Sequence, residues 1–235
     1  MPKTYKTEII GYKFNELSQE VKIRLYDEDW EFSNMVDFIP LEEGFREMLS
    51  ELYGADPETL EIYSDVSYSQ GSGACCVGDL DVETVIENRV GSYFTNLLNH
   101  IDAGSLDINS ISIVRCGPSN FYCHENTCRV NIDYTFDTID VDEVQEKVIS
   151  EEMSELEEML TNAIREELCT FYSKLQDYYE DSTSFEAYCE AMNNSDAIYT
   201  EEGQVVDPVF IRNANVYDGY QLKLDFEDQD NYNFT

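Results

Sequence analysis

Cys116, Cys123, His124 and Cys128 place four soft or borderline ligands within thirteen residues (CGPSNFYCHENTC), enough in kind for a tetrahedral zinc site. The spacing C-x6-C-H-x3-C matches no recognised zinc pattern, and the adjacent Cys123 and His124 would point to opposite faces if they lay on a strand. Buried thiols beside a loop histidine account for the same residues. Cys75 and Cys76 follow a glycine-rich stretch, but a thiolate nucleophile needs a histidine or a positive environment. His100 and His124 are the only histidines, and abundant carboxylates push thiol pKa values up. Gly71 to Gly73 could cradle a phosphate, yet no Lys or Arg lies nearby and the G-x-x-x-x-G-K-[ST] signature is missing, which points to a tight turn. No Ser-His-Asp spacing stands out, and acid–base pairs cannot be singled out among fifty carboxylates. The expectation is a protein that is not an enzyme and uses no cofactor, with the Cys116 to Cys128 group as its one metal candidate.

What dominates is charge. The 235 residues hold 50 Asp or Glu against 14 Lys or Arg, a net charge of −36. Small soluble domains usually carry a magnitude of about 2–8. Acidic chains are often disordered, but those are poor in aromatic residues; here 17 Tyr and 12 Phe allow a packed core. Such a surface repels nucleic acid and anionic lipid and attracts whatever normally binds them. No direct nucleic-acid or membrane partner is therefore expected. Duplex DNA carries a charge about every 1.7 Å, so 36 carboxylates equal roughly 60 Å of it. Evenly spread halophilic carboxylates and calcium binding are the alternatives, though no D-x-[DN]-x-[DN]-G loop is present.

The elements that would carry this charge follow from hydrophobic spacing. Residues 7–14 and 59–68 read as strands, residues 110–116 and 128–136 as a hairpin-like pair, and residues 220–226 as a terminal strand. Helices are predicted over 16–26 with Asn15 as cap, 40–53, 82–101 and 184–192. The strongest signal covers residues 140–181, a long acidic helix whose apolar residues recur every three or four positions from Ile149 to Tyr178. Trp30, with Phe32 and Tyr26, is expected to anchor the core. With no repeat and no clear linker, residues 1–235 read as a single α+β domain: an antiparallel sheet packed with several helices, including one long acidic helix. Neither a bilayer-spanning run nor a secretory leader is visible, and seven scattered Cys suit reduced thiols, so the protein is expected in the cytoplasm of the cell that makes it.

Three segments, Tyr12–Lys22 (YKFNELSQEVK), Tyr68–Ala74 (YSQGSGA) and Tyr122–Thr127 (YCHENT), together resemble a group of uncharacterised bacteriophage proteins. Those share F-x-E-L-S-x-E, S-Q-G-x-G-A and Y-x-H-E motifs in this order, and some are labelled antitoxin-like. The resemblance implies phage origin, an α+β fold, a host-cell cytoplasmic location, and Gln70, Gly71, Gly73, Tyr122, His124 and Glu125 as motif positions.

Charge and resemblance together lead to one expectation: an anti-defence protein that mimics nucleic acid and blocks the basic DNA- or RNA-binding surface of a host nuclease complex of the restriction or CRISPR kind. Glu143, Glu146, Glu151, Glu152, Glu155, Glu158, Glu166 and Glu167 would stand in for phosphates. The alternative is an antitoxin-like interaction protein that grips its partner, or a second copy in a homodimer, through the apolar stripe of the long helix.

Overall fold

A computed structural model describes residues 5–67, 71–116, 123–136, 141, 143–206, 214–217 and 221–226, with backbone alone for 5–9, 91–92, 214–217 and 221–226. In chain order the elements are β1 (Tyr5–Ile10), α1 (Gln19–Glu28), α2 (Ile39–Tyr53), β2 (Glu61–Asp65), β3 (Gly73–Leu80), α3 (Val82–Val85), α4 (Thr95–Asp102), β4 (Leu106–Arg115), β5 (Cys128–Phe136), α5 (Glu143–Ser182), α6 (Phe185–Asn193), β6 (Ala214–Tyr217) and β7 (Gln221–Phe226). This is an α+β fold. Two compact units emerge: Asp37–Tyr179, and Met1–Val36 with Glu180–Thr235. The chain passes between them twice, at Val36/Asp37 just ahead of α2 and at Tyr179/Glu180 within the last turn of α5.

In the unit Asp37–Tyr179, an antiparallel sheet in the order β2-β3-β4-β5 supports the helices. Helix α2 starts with Pro40 in its first turn, where no intrahelical donor is lost, and stops at Gly54, whose φ of 63° favours glycine. The apolar stripe of α5 lies in the core from Ile149 through Met153, Leu156, Leu160, Ile164, Leu168 and Phe171 to Leu175, all buried, whereas its last predicted member, Tyr178, is 40% exposed. Phe171 stacks on Phe45 of α2 with ring centroids 4.3 Å apart.

Helix α5 also closes one edge of the sheet. β5 has a single neighbour strand, so its outer amides and carbonyls need partners from elsewhere. Glu157 Oε1 accepts from the Ile132 amide at 2.7 Å and Thr161 Oγ1 from the Val130 amide at 2.9 Å, while Arg165 Nε donates to the Cys128 carbonyl at 3.0 Å. The match is geometric. Four helical residues rise about 6 Å and two strand residues about 6.8 Å, so positions 157, 161 and 165 meet positions 132, 130 and 128 in step.

The helix predicted over 82–101 is broken. After α3 come a π-helical turn, Ile86–Val90, and a 3-10 turn, Gly91–Phe94, before α4 resumes. Val85 and Val90 are both buried although five residues apart, a spacing that leaves one face of an α-helix but matches a π turn.

In the other unit, β7 lies between β1 and β6, antiparallel to both. Helix α1 begins later than predicted. Residues Phe14–Glu16 form a 3-10 turn and Ser18, not Asn15, is the cap, its hydroxyl accepting from the Val21 amide at 3.3 Å. Phe14, Leu17, Tyr188 and Tyr199 form a small aromatic-rich core against which Tyr26 and Phe32 pack. Trp30 does not anchor it, being 71% exposed.

Replacing Thr161 by Val keeps the shape but leaves the Val130 amide without its acceptor. The expected cost is about 1–3 kcal/mol in urea unfolding, with an unchanged denaturant slope. Asn162→Ala, one position away and exposed, should shift the midpoint little.

Candidate functional site

Edge closure fixes the rotation of α5, and with it which carboxylates reach solvent. Glu151, Glu155, Glu158 and Glu166 are exposed on the face opposite the buried stripe, and Glu143 and Glu146 are exposed in the first turn. Glu152 and Glu167 are partly buried and lie off that face. Glu152 Oε1 accepts from Asn96 Nδ2 at 2.8 Å, and Glu167 borders a cleft of about 260 Å³ floored by Phe45 and Phe171. Glu157 belongs to the sheet edge. Of the eight glutamates expected to act together, six therefore face solvent.

Basic residues hardly interrupt the exposed row. Lys147 lies 3.8 Å from Glu151. The next basic residue, Arg165, turns inward to the carbonyls of Cys128 and Asn126, and none follows before Lys174. From Glu151 to Glu166 the helix rises about 22 Å. Four carboxylates over that length fall short of one DNA strand, with a phosphate about every 3.4 Å. Carboxylates also extend beyond α5: Glu43, Glu47 and Glu51 form a second exposed row on α2.

The motif loops meet. The Cys123 amide donates to the Gly71 carbonyl at 3.0 Å, and a Cβ on Gly73 would stand 2.5 Å from the Cys123 carbonyl oxygen, so glycine is needed for this approach. Ser72 is buried, its hydroxyl 3.3 Å from that of Ser67 and hydrogen-bonded to Tyr172 of α5. His124 Nδ1 lies 3.2 Å from Glu125 Oε2, with His124 still 42% exposed. Gln70 and Tyr122 lie outside the described residues. Neither Ser72 nor Tyr172 could be picked out from local sequence, because Tyr172 joins the loops only through the docking of α5.

Thiols fill the floor beneath these loops. Cys128 Sγ donates to the Cys76 carbonyl at 3.2 Å and accepts from the Cys76 amide at 3.3 Å. A hydrogen bond with Cys128, then burial, pushes the Cys75 thiol far above its ordinary range. A hydrogen bond with Cys75 pulls Cys128 down, but its bond to Cys76 and its burial outweigh that and push it up to about 11. Burial raises Cys123 as well. These thiols are held neutral, the reverse of what a nucleophile or thiolate ligand requires. Cys116, Cys123, His124 and Cys128 do not converge: among the described residues no three His, Cys, Asp or Glu are grouped to hold a metal ion. Of these three cysteines Cys128 is buried, while Cys116 and Cys123 are partly exposed.

The raised pKa of Cys128 carries a stability consequence with a definite sign. Its contribution is complete below the ordinary thiol value of 9.0 and is lost as pH rises toward about 11, because the unfolded thiol ionises first. Urea midpoints measured from about pH 8 to 11 should fall less steeply for Cys128→Ser than for the natural chain.

No curated protein and no solved structure matches the chain significantly. A family described as a domain of unknown function, DUF8835, matches residues 29–185, a span that contains the motif loops and the acidic row of α5. The chain belongs to the DUF8835 family.

Proposed function

We propose that this protein is a binding protein, not an enzyme, that offers the outward face of α5 to a basic, nucleic-acid-binding surface of a partner protein and competes there with the polymer. One observation carries this reading. Between Lys147 and Lys174 the exposed face holds Glu151, Glu155, Glu158 and Glu166, while the one basic side chain in that interval is turned onto β5. Glu151 with Glu155 and Glu155 with Glu158 are like-charged neighbours that weaken a helix by a few tenths of a kcal/mol each, at about 0.2–0.5 per pair. Burial of the stripe offsets this cost and holds the row in place.

The row is sparser than a DNA strand, so the fit is to an array of Lys or Arg with similar spacing, helped by the overall charge of −36. On the resemblance to phage proteins, the partner is a host defence nuclease complex and the place of action the host cytoplasm. Among the described residues no helix is long and apolar enough to cross a membrane.

The alternative, a partner or second copy gripping the apolar stripe, is not favoured. Leu156, Leu160, Ile164 and Leu168 are each at most 1% exposed, enclosed by the chain's own core.

The test is capture of host proteins on immobilised chain, followed by displacement of a labelled oligonucleotide from each captured protein. The natural chain should displace it at low salt and lose this ability by about 0.5 M, where screening is short-ranged. Changing Glu151, Glu155, Glu158 and Glu166 together to Lys alters the charge from −36 to −28 (−36 + 8) and should abolish displacement with the circular dichroism spectrum unchanged. Undiminished displacement by that variant would overturn the proposal.

A further inference from the structure

The unit formed by Met1–Val36 and Glu180–Thr235 contains an open cleft of about 360 Å³, within the range of small-ligand pockets, roughly 300–1,000 Å³. Glu28, Asp29, Trp30, Glu31, Tyr188 and Tyr199 line it, so its wall combines three carboxylates, an indole and two phenol rings and, among the described residues, no basic one. The nearby cations of α1 are engaged elsewhere. Arg24 donates to the Glu202 carbonyl and Lys22 to the Asn15 carbonyl.

The wall is preorganised. Tyr188 is 3% exposed, with Phe14, Tyr26 and Phe32 packed on its ring at centroid distances of 5.7, 5.5 and 5.1 Å. Tyr199 packs on Phe14 at 5.9 Å. Asp29 is held by the Phe32 amide, which donates to its Oδ1 at 3.2 Å. Burial, followed by the charge of Asp29, pushes the Tyr188 phenol up to about 12, which places that ring in the field of the carboxylate. The Trp30 backbone is fixed by Ser33 Oγ and Asn34 Nδ2, both donating to its carbonyl, yet its indole is 71% exposed.

We infer that this cleft binds the guanidinium group of an arginine side chain carried on a polypeptide. A planar guanidinium can stack on the exposed Trp30 indole and donate in a fork to carboxylate, and an arginine stem offers methylenes to apolar wall atoms, with the buried Tyr188 and Tyr199 backing the cleft. Leu25, Met192 and Val205 complete the lining, and their apolar atoms disfavour the zwitterionic α-carbon end of a free amino acid over the uncharged peptide units of a chain, which selects arginine within a polypeptide. The inference is independent of the reading of α5, since it concerns other residues and a different unit.

Trp30 is the chain's only tryptophan, so its fluorescence reports on the cleft directly. Full-length protein is titrated at about 0.15 M salt with N-acetyl-arginine methylamide, its neutral citrulline counterpart and free arginine. The blocked arginine compound should give a saturable change, at least about tenfold tighter than citrulline or free arginine, a difference of about 1.4 kcal/mol. Asp29→Asn, which retains an oxygen acceptor for the Phe32 amide, should weaken it by a similar factor. Equal binding of citrulline, or a change that merely follows ionic strength, would overturn the assignment. Free arginine binding as tightly as the blocked compound would overturn its restriction to a polypeptide, and undiminished binding by Asp29→Asn would overturn the role given to that carboxylate.

Discussion

The docking of α5 against β5 is the constraint from which the surface of the larger unit follows. An amphipathic helix of this length could roll about its axis at modest cost if only its leucines held it, because apolar packing is weakly directional. Hydrogen bonds that Glu157 and Thr161 accept from, and Arg165 donates to, alternate residues of β5 remove that freedom. They satisfy an edge that would otherwise offer itself to another strand, and they take one carboxylate and one guanidinium out of the exposed charge pattern. Loss of the guanidinium matters more. It leaves the outward row of glutamates without an interspersed cation.

Tertiary docking also explains why the motif loops behave as architecture. Gly73 lies so close to the Cys123 carbonyl that a side chain there would clash, the Gly71 carbonyl accepts from the Cys123 amide, and Tyr172 of α5 reaches Ser72 beside them. Beneath, the Cys128 thiol serves as both donor and acceptor for one residue of β3, a job normally done by a neighbouring strand's backbone. A neutral thiol can do this and a thiolate cannot donate, so the raised pKa values and the geometry describe one requirement.

Much of this was legible in sequence, for identifiable reasons. The stripe of α5 repeats over seven turns, and each of its residues from Ile149 to Leu175 is buried as its spacing implies. The hairpin strands β4 and β5 alternate clearly and contain their expected ranges up to Arg115. What local pattern could not supply was competition between alternatives. Asn15 and Ser18 are both capable caps, and burial of Phe14 and Leu17 favours the later one. The turn at Ile86–Val90 obeys the burial of Val85 and Val90 over helical regularity. Trp30 was expected inside because of its size, but it borders a cleft whose other wall, Tyr188 and Tyr199, comes from the far end of the chain. The carboxylates, finally, are countable from sequence while their direction is not. Glu157 and Glu158 are neighbours, and only the fold assigns one to a strand edge and the other to solvent.

That division is open to direct measurement by carboxyl footprinting, in which carbodiimide couples glycine amide to accessible carboxylates and peptide mass spectrometry reads the rate at each site. Fast labelling of Glu151, Glu155, Glu158 and Glu166 is expected, with Glu157 protected until the protein unfolds. Labelling of Glu157 at the same rate as Glu158 would show that α5 is not locked to β5, and the exposed acidic row would lose its structural basis.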